Sequence, residues 1–100
     1  MKLVIIHSQA RAELDEAIAF YEEQWPGLGL DLQTVVERAI GRIRQNPQLG
    51  VSYKATEFRY YVVRRFPYII FYAEIEEAIW IVAVAHGNRK PDYWRRQRSK

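Results

Sequence analysis

The sequence predicts an α+β domain with the element order β-α-α-β-β-β, in which a helix hairpin packs on one face of a small, mostly antiparallel sheet and a short basic tail follows. Two observations support this fold class. Between residues 10 and 43, apolar side chains recur at steps of three and four, which is the period of amphipathic helices. After Asn46 and Pro47 the pattern changes to short aromatic and β-branched runs separated by turns, which is typical of strands.

The amino-terminal half is predicted to hold one strand and two helices. Residues 2–7 form a short β-branched apolar run that predicts a strand, and Ser8 is a favourable N-cap for a helix. That helix is expected to continue to about Gln24, with an apolar stripe facing the core. Turn residues at positions 25–29 connect it to the second helix, and so short a link predicts a hairpin.

The second helix has the clearest periodicity, and Pro47 ends it because proline disfavours a helical conformation in the residue before it. A loop over residues 48–56 is expected next. Three strands then follow at residues 58–65, 68–74 and 79–86, and they form an antiparallel meander because only short turns separate them. Pro91 is expected to open a terminal helical turn that carries several arginines.

Length and composition predict one domain over residues 1–100. With two histidines, no cysteine and no HExxH, GxSxG or glycine-rich phosphate motif, neither a metal nor a cofactor is expected. The longest apolar runs are too short to span a bilayer and lack the flanks of a signal peptide. We therefore expect a cytoplasmic protein with no membrane partner.

Positive charge is concentrated in the second half of the chain. Residues 1–50 hold 5 basic and 7 acidic side chains, whereas residues 51–100 hold 10 basic and 5 acidic ones. Arg95 and Arg96 belong to the most basic stretch, residues 89–100, where Asp92 is the only acid. Such a segment either attracts an anionic partner or only solubilises the terminus.

A cationic and aromatic cluster follows the last predicted strand and is the strongest candidate site. It consists of His86, Arg89, Lys90, Tyr93 and Trp94. Arginine can clamp a phosphate while tyrosine or tryptophan stacks on a base, so the mixture suits nucleic acid or a phosphate-rich surface. The structural alternative is that Tyr93 and Trp94 fold back over the open end of the sheet and that His86 is only a hydrogen-bonding residue.

Three arginines on the first meander strand extend this cationic surface. Strand alternation places Arg59 and Arg65 on one face of the sheet and Arg64 on the other. The face without helices is expected to be an aromatic and basic interface, and the sequence leaves open which side chains point towards it.

Taken in order, these segments resemble the RelE/ParE superfamily of toxins over essentially the whole chain. The resemblance implies a RelE/ParE-like fold and the toxin of a type II toxin-antitoxin pair, neutralised by a cognate antitoxin through which alone it would reach operator DNA. One branch of the superfamily cleaves messenger RNA in the ribosome, and the ParE branch inhibits DNA gyrase. The stretches that carry the resemblance are Phe20-Tyr21-Glu22, Pro26-Gly27-Leu28-Gly29, Asn46-Pro47, Arg64-Arg65-Phe66-Pro67-Tyr68 and residues 83–94.

Two departures from the ribonuclease branch favour the ParE branch. That branch commonly has an arginine directly after the tyrosine that opens the middle strand, where this chain has Ile69 after Tyr68. It also has a lysine pair before that strand, whereas Lys54 is the only lysine between Lys2 and Lys90. We therefore expect a gyrase inhibitor.

The expected target-binding residues of such an inhibitor are Arg59, Arg64, Arg65, Arg89, Lys90, Trp94, Arg95 and Arg96. Two alternatives stay open. In a ribosome-dependent messenger RNA endoribonuclease, the resemblance makes His86, Arg89 and Tyr93 the catalytic set. The other alternative is a non-toxic basic binding module on the same fold, because fold alone does not decide function.

Overall fold

The computed structural model describes residues 2–89 and 93–98, apart from the side chains of residues 96 and 97. The elements are β1 Leu3–Ile6, α1 Ser8–Gln24, α2 Leu28–Gln45, β2 Val51–Ser52, β3 Phe58–Val63, β4 Tyr68–Ile75, β5 Ala78–His86 and α3 Arg95–Arg98. The strands form a five-stranded sheet in the order β1-β5-β4-β3-β2, in which β1 runs parallel to β5 and the other neighbours are antiparallel. The predicted α+β fold is confirmed. No helix in these ranges is long and apolar enough to cross a membrane.

The link between the helices is shorter than predicted because Glu22 caps the second helix. Its carboxylate accepts hydrogen bonds from the backbone N–H groups of Gly27 and Gly29, at 2.9 and 3.0 Å. Gly27 has a φ of 89°, a left-handed conformation that favours glycine. A Cβ atom on Gly29 would lie 2.5 Å from the carbonyl oxygen of Ile18. As a result α2 begins at Leu28, inside the segment predicted as a turn.

Two further details differ from the sequence-based expectation. Helix α1 begins at Ser8, but its N-cap is His7, whose Nδ1 accepts a hydrogen bond from the Gln9 N–H at 3.1 Å. The predicted loop over residues 48–56 contains the short strand β2, which pairs with β3 at the edge of the sheet. A two-residue strand is too short to give a periodic signal in the sequence.

Each face of the sheet carries its own core. On one face α1 and α2 pack against the strands, and this first core includes Leu32 and Ile70. On the other face the strands pack against residues from the carboxy-terminal segment, and this second core includes Phe58, Phe71 and Trp94. The sheet is therefore covered on both faces, by a long helix hairpin on one side and by short segments on the other.

Strand β5 carries a β-bulge close to the point where it leaves β1. Phe71 pairs with Ala83 and Tyr72 pairs with Ile81, so the intervening Val82 has no partner on β4. Strand β1 pairs with β5 only as far as Ile81. Bulges re-aim side chains and are common next to functional sites. Beyond Ile81, the outer edge of β5 is open to side chains from other elements.

Candidate functional site

A groove of about 390 Å³ opens on the sheet face opposite the helices, at the carboxy-terminal end of β5. Its volume falls within the range of small-ligand sites, about 300–1,000 Å³. The groove has an aromatic and apolar wall and a cationic rim, and its lining includes Tyr53, Tyr60, Ile69, Phe71, Lys54, His86, Arg89 and Tyr93. The strand register therefore turns Tyr60, Ile69 and Phe71 towards the open face, which the sequence alone left undecided.

Arg89 is an exposed cation at the rim of this groove. Its backbone N–H donates to the His86 carbonyl at 3.0 Å, in the turn that follows β5. Its guanidinium carbon lies 3.9 Å from the centroid of the Tyr93 ring, a cation–π contact. This contact restrains the guanidinium while it leaves the N–H donors available to an anionic partner.

Tyr93 is held in place by Glu13 of α1. The Tyr93 hydroxyl donates a hydrogen bond to Glu13 Oε2. Burial raises the pKa of the Tyr93 phenol well above its ordinary value, and the hydrogen bond to Glu13 raises it further. Tyr93 therefore stays protonated at neutral pH. An efficient general acid or base needs a pKa near the working pH, so this environment suits a structural phenol better than a proton-transfer group.

The same glutamate forms a buried ion pair with Arg98, across the open edge of β5. Arg98 Nη1 lies 2.8 Å from Glu13 Oε1, and the two side chains are only 8% and 14% exposed. The bulge supplies backbone partners on both sides: the Val84 N–H donates to Glu13 Oε1 at 3.0 Å, and Arg98 Nη1 donates to the Val82 carbonyl at 3.2 Å. Arg98 Nε also donates to Gln9 Oε1 at 2.8 Å. We call Gln9, Glu13, Tyr93 and Arg98 the edge network.

Sequence reasoning missed the edge network. Glu13 lies off the apolar stripe of α1, where a solvated carboxylate is the ordinary expectation, and the sequence presents Arg98 as one of several cations in the basic tail. The signal that could have found Arg98 is weak, because its side-chain partners Glu13 and Gln9 are 85 and 89 positions away in the chain. The predicted basic tail is therefore not simply a solvated terminus, since part of it is built into the fold.

Trp94 packs against the sheet, as the structural alternative for this residue predicted. Its side chain is fully buried, with 0% exposure, so in this conformation it is not available to stack on a base. Its ring centroid lies 4.8 Å from that of Phe58 and 4.9 Å from that of Phe71. The expectation that Trp94 contacts a target is corrected, because packing against Phe58 and Phe71 removes the apolar indole ring from water.

The arginines of β3 and the following turn do not line the groove. Arg59 Nη1 donates to the Gly50 carbonyl at 2.7 Å, and Arg65 pairs with Asp31 of α2 at 3.0 Å. Arg64 is exposed beside the β2–β3 edge. The predicted continuous cationic surface is therefore divided between separate places. Lys90 and the side chain of residue 96 lie outside the described residues, and Arg95 lies in α3.

His86 makes the structural hydrogen bond that the sequence offered as the alternative to a catalytic role. Its Nδ1 accepts from the Asn88 N–H at 3.0 Å, and its ring meets Tyr68 edge to face at 5.4 Å. The His86 side chain nevertheless borders the groove together with Arg89 and Tyr93, so the three residues are brought together. Within residues 2–89 and 93–98, no three His, Asp or Glu side chains lie together as metal ligands would.

Comparisons with known proteins agree with the resemblance. The sequence matches, over residues 4–91, the family model described as the ParE toxin of the type II toxin-antitoxin system parDE. A solved structure described as the chromosomal ParDE toxin-antitoxin system from P. aeruginosa superposes with a TM-score of 0.64 at 15% identity. The match covers 86% of this chain and 96% of that chain, and at this identity it supports the fold alone. No curated protein matches the sequence.

Proposed function

We propose that this chain, which belongs to the ParE toxin family of type II toxin-antitoxin systems, inhibits DNA gyrase and is neutralised by a cognate antitoxin. The observation that carries the proposal is the family match over residues 4–91. Gyrase acts on DNA in the cytoplasm, which is where we propose that the protein works.

The geometry of the groove supports binding rather than catalysis. Arg89 at the rim can engage an anionic surface, while the aromatic wall can accept an apolar or planar group. Ile69 lines the groove at the position where the ribonuclease branch commonly has an arginine, so a donor for a developing phosphorane charge is missing there. Tyr93, with its raised pKa, is also poorly suited to transfer a proton.

Exposed apolar side chains on the helix hairpin support the proposal of a protein partner. Phe20, Trp25 and Leu30 are 54%, 71% and 63% exposed, and they lie near the turn that joins α1 to α2. Large apolar groups in solvent commonly mark surfaces that another protein covers. The description of the P. aeruginosa structure as a ParDE system is consistent with an antitoxin partner, which we propose for this chain.

Message cleavage is the second candidate function, because His86, Arg89 and Tyr93 border one groove.

The first test of gyrase inhibition is a supercoiling assay with purified protein, gyrase and plasmid DNA. We expect inhibition, and we expect Arg89→Ala to need about tenfold more protein for the same effect, as for an interface arginine worth more than about 1 kcal/mol. Arg38→Ala, which removes an exposed arginine of α2, is the matched control and should behave as wild type.

Primer extension on messages from induced cells is the second arm. We expect no early cuts, and co-expression of the antitoxin should restore growth. Message cuts within minutes that disappear with Tyr93→Phe, together with unchanged supercoiling by gyrase, would assign the protein to the ribonuclease branch instead.

A further inference from the structure

Within residues 2–89 and 93–98, no strand pairs with the outer side of β1. Strand β1 lies at the end of the strand order, and its four residues Leu3, Val4, Ile5 and Ile6 are all apolar. Natural edge strands usually carry charges, proline or bulges that prevent pairing with another chain. β1 has none of these within its span, so its outer side is suited to pairing.

The ladder with β5 identifies which backbone groups are available. The Leu3 N–H donates to the Glu77 carbonyl at 3.2 Å, and the His7 N–H donates to the Ile81 carbonyl at 2.9 Å. Residues 3, 5 and 7 therefore point their N–H and C=O groups towards β5, while Val4 and Ile6 point theirs outward. The next outward carbonyl along the strand, that of Lys2, already accepts from Arg44 Nε at 2.6 Å.

This edge is complementary to itself. In an antiparallel ladder, every second pair of directly opposite residues exchanges both of its backbone hydrogen bonds. If two copies of β1 meet about a two-fold axis at Ile5, Val4 of each copy lies opposite Ile6 of the other, and the outward groups of both residues are satisfied. We propose that this edge binds a second copy of the chain, so that the two five-stranded sheets join into one.

The side chains beside the edge suit the same occupant. Leu3 and Ile5 line an apolar groove of about 360 Å³ with Ile75 and Trp80, on the sheet face opposite the helices. Leu3 is 61% exposed in the single chain. In the paired arrangement Ile5 contacts Ile5 of the second copy across the axis, and both Leu3 side chains lose exposure. The apolar contact and the backbone pairing therefore reinforce each other.

Charge also favours a second copy over an acidic strand. Glu76 and Glu77 border the groove at the Leu3 end, and Lys2 pairs there with Glu74 at 3.1 Å and with Glu77 at 3.8 Å. The carboxylates outnumber the single ammonium, so an acidic strand is disfavoured at this end. In the paired arrangement this end faces His7 and the start of α1 of the second copy. The first turn of α1 contains no acidic residue, and a helix amino terminus carries partial positive charge. The carboxylates of one copy therefore do not meet carboxylates of the other at either end of the pair.

Charge complementation at the axis tests the proposal. Sedimentation of the wild-type protein over a hundredfold concentration range should show a reversible monomer–dimer equilibrium. Ile5→Lys and Ile5→Asp should each weaken dimerisation at least tenfold, because each places like charges opposite one another. Mixing the two variants should restore a dimer that contains one copy of each. Val62→Lys, at an apolar side chain 53% exposed near the opposite edge, is the control and should dimerise as wild type.

Hydrogen exchange gives an independent readout on the unmodified chain. Amide protection at Val4 and Ile6 should rise with protein concentration, while that at Ile5, whose N–H faces β5, should not. A wild-type protein that stays monomeric over the whole range, or a mixture of the two Ile5 variants that stays monomeric although both fold, would overturn the proposal. None of these outcomes depends on whether gyrase is the target.

Discussion

The two cores of this protein are built by different means. The first core is sealed by α1 and α2, which present residues such as Leu32 and Val36 at helical spacing. The second core is covered by side chains from short segments, chiefly Tyr53 and Trp94, and the edge network attaches the segment of Trp94 to α1. The candidate site lies on the side of the second core. The groove therefore depends on few contacts, whereas the helix hairpin depends on many.

The largest expected effect comes from emptying the second core. Trp94→Ala should lower the free energy of unfolding by about 3–5 kcal/mol, the usual cost of truncating a buried tryptophan. It should also abolish gyrase inhibition under conditions where the protein is still folded. Leu32→Ala in the first core should cost about 2–5 kcal/mol and leave inhibition by the folded fraction intact. Urea unfolding followed by circular dichroism measures the loss of stability in both variants, and the supercoiling assay measures inhibition. Trp25→Ala, at 71% exposure, is the control for stability.

An inhibition assay in which folded Trp94→Ala matches wild type would show that the groove does not need the second core, and the contrast between the two cores would then concern stability alone.

The next effect tests the ion pair that attaches the carboxy-terminal segment. Glu13→Leu should cost about 3 kcal/mol, because it leaves Arg98 buried without its carboxylate. Replacing both partners, Glu13→Leu with Arg98→Met, should cost less than the sum of the single changes, since no charge is then left buried. A double-mutant cycle from urea unfolding measures the coupling, and Glu16→Ala, at an exposed position of the same helix, is the control. Additive single costs would contradict a direct Glu13–Arg98 coupling.

A smaller effect concerns alkaline pH. The folded protein raises the pKa of Tyr93 above its ordinary value of 10.0, chiefly through burial. The resulting stabilisation is fully present below pH 10 and is lost as the pH rises further, because the unfolded phenol then ionises first. Tyr93→Phe should flatten the decline of the unfolding free energy above pH 10. Some slope should remain, since burial also raises the pKa of Tyr68 and Tyr72. Identical declines in the variant and wild type would contradict this assignment.

The smallest expected effect is at the surface. Arg65 and Asp31 form an ion pair with side chains 58% and 48% exposed. Pairs of this kind contribute about 0–1 kcal/mol, so Arg65→Ala should change the free energy of unfolding by less than about 1 kcal/mol. Gyrase inhibition should also be unchanged, since Arg65 does not line the groove. If Arg65→Ala lost as much inhibition as Arg89→Ala, the result would support the predicted cationic surface across the sheet.

Sequence reasoning located the first core because its pattern is local. The helical period, Pro47 and the turn at Phe66-Pro67 lie within a few residues of the structures that they determine. The sequence predicts too late a start for α2, because the carboxylate that caps it belongs to Glu22 of the other helix.

The candidate site was predicted in part. His86, Arg89 and Tyr93 follow one another closely in the chain, so their proximity could be anticipated. Glu13 could not be included, because its link to Tyr93 spans 80 positions and depends on a bulge that leaves no mark in the sequence. Trp94 offered two interpretations, and only the position of the open face relative to the carboxy-terminal segment decides between them.

The span of the edge network has a kinetic consequence. Its Glu13–Arg98 bond joins positions 85 apart, so it can form only after a very large loop of chain has closed. Contacts of such high sequence separation tend to form late in folding, after the locally encoded helix hairpin. We therefore expect the groove to be among the last parts of the molecule to appear during refolding. A chain whose first core has already formed would still be inactive until that loop closes.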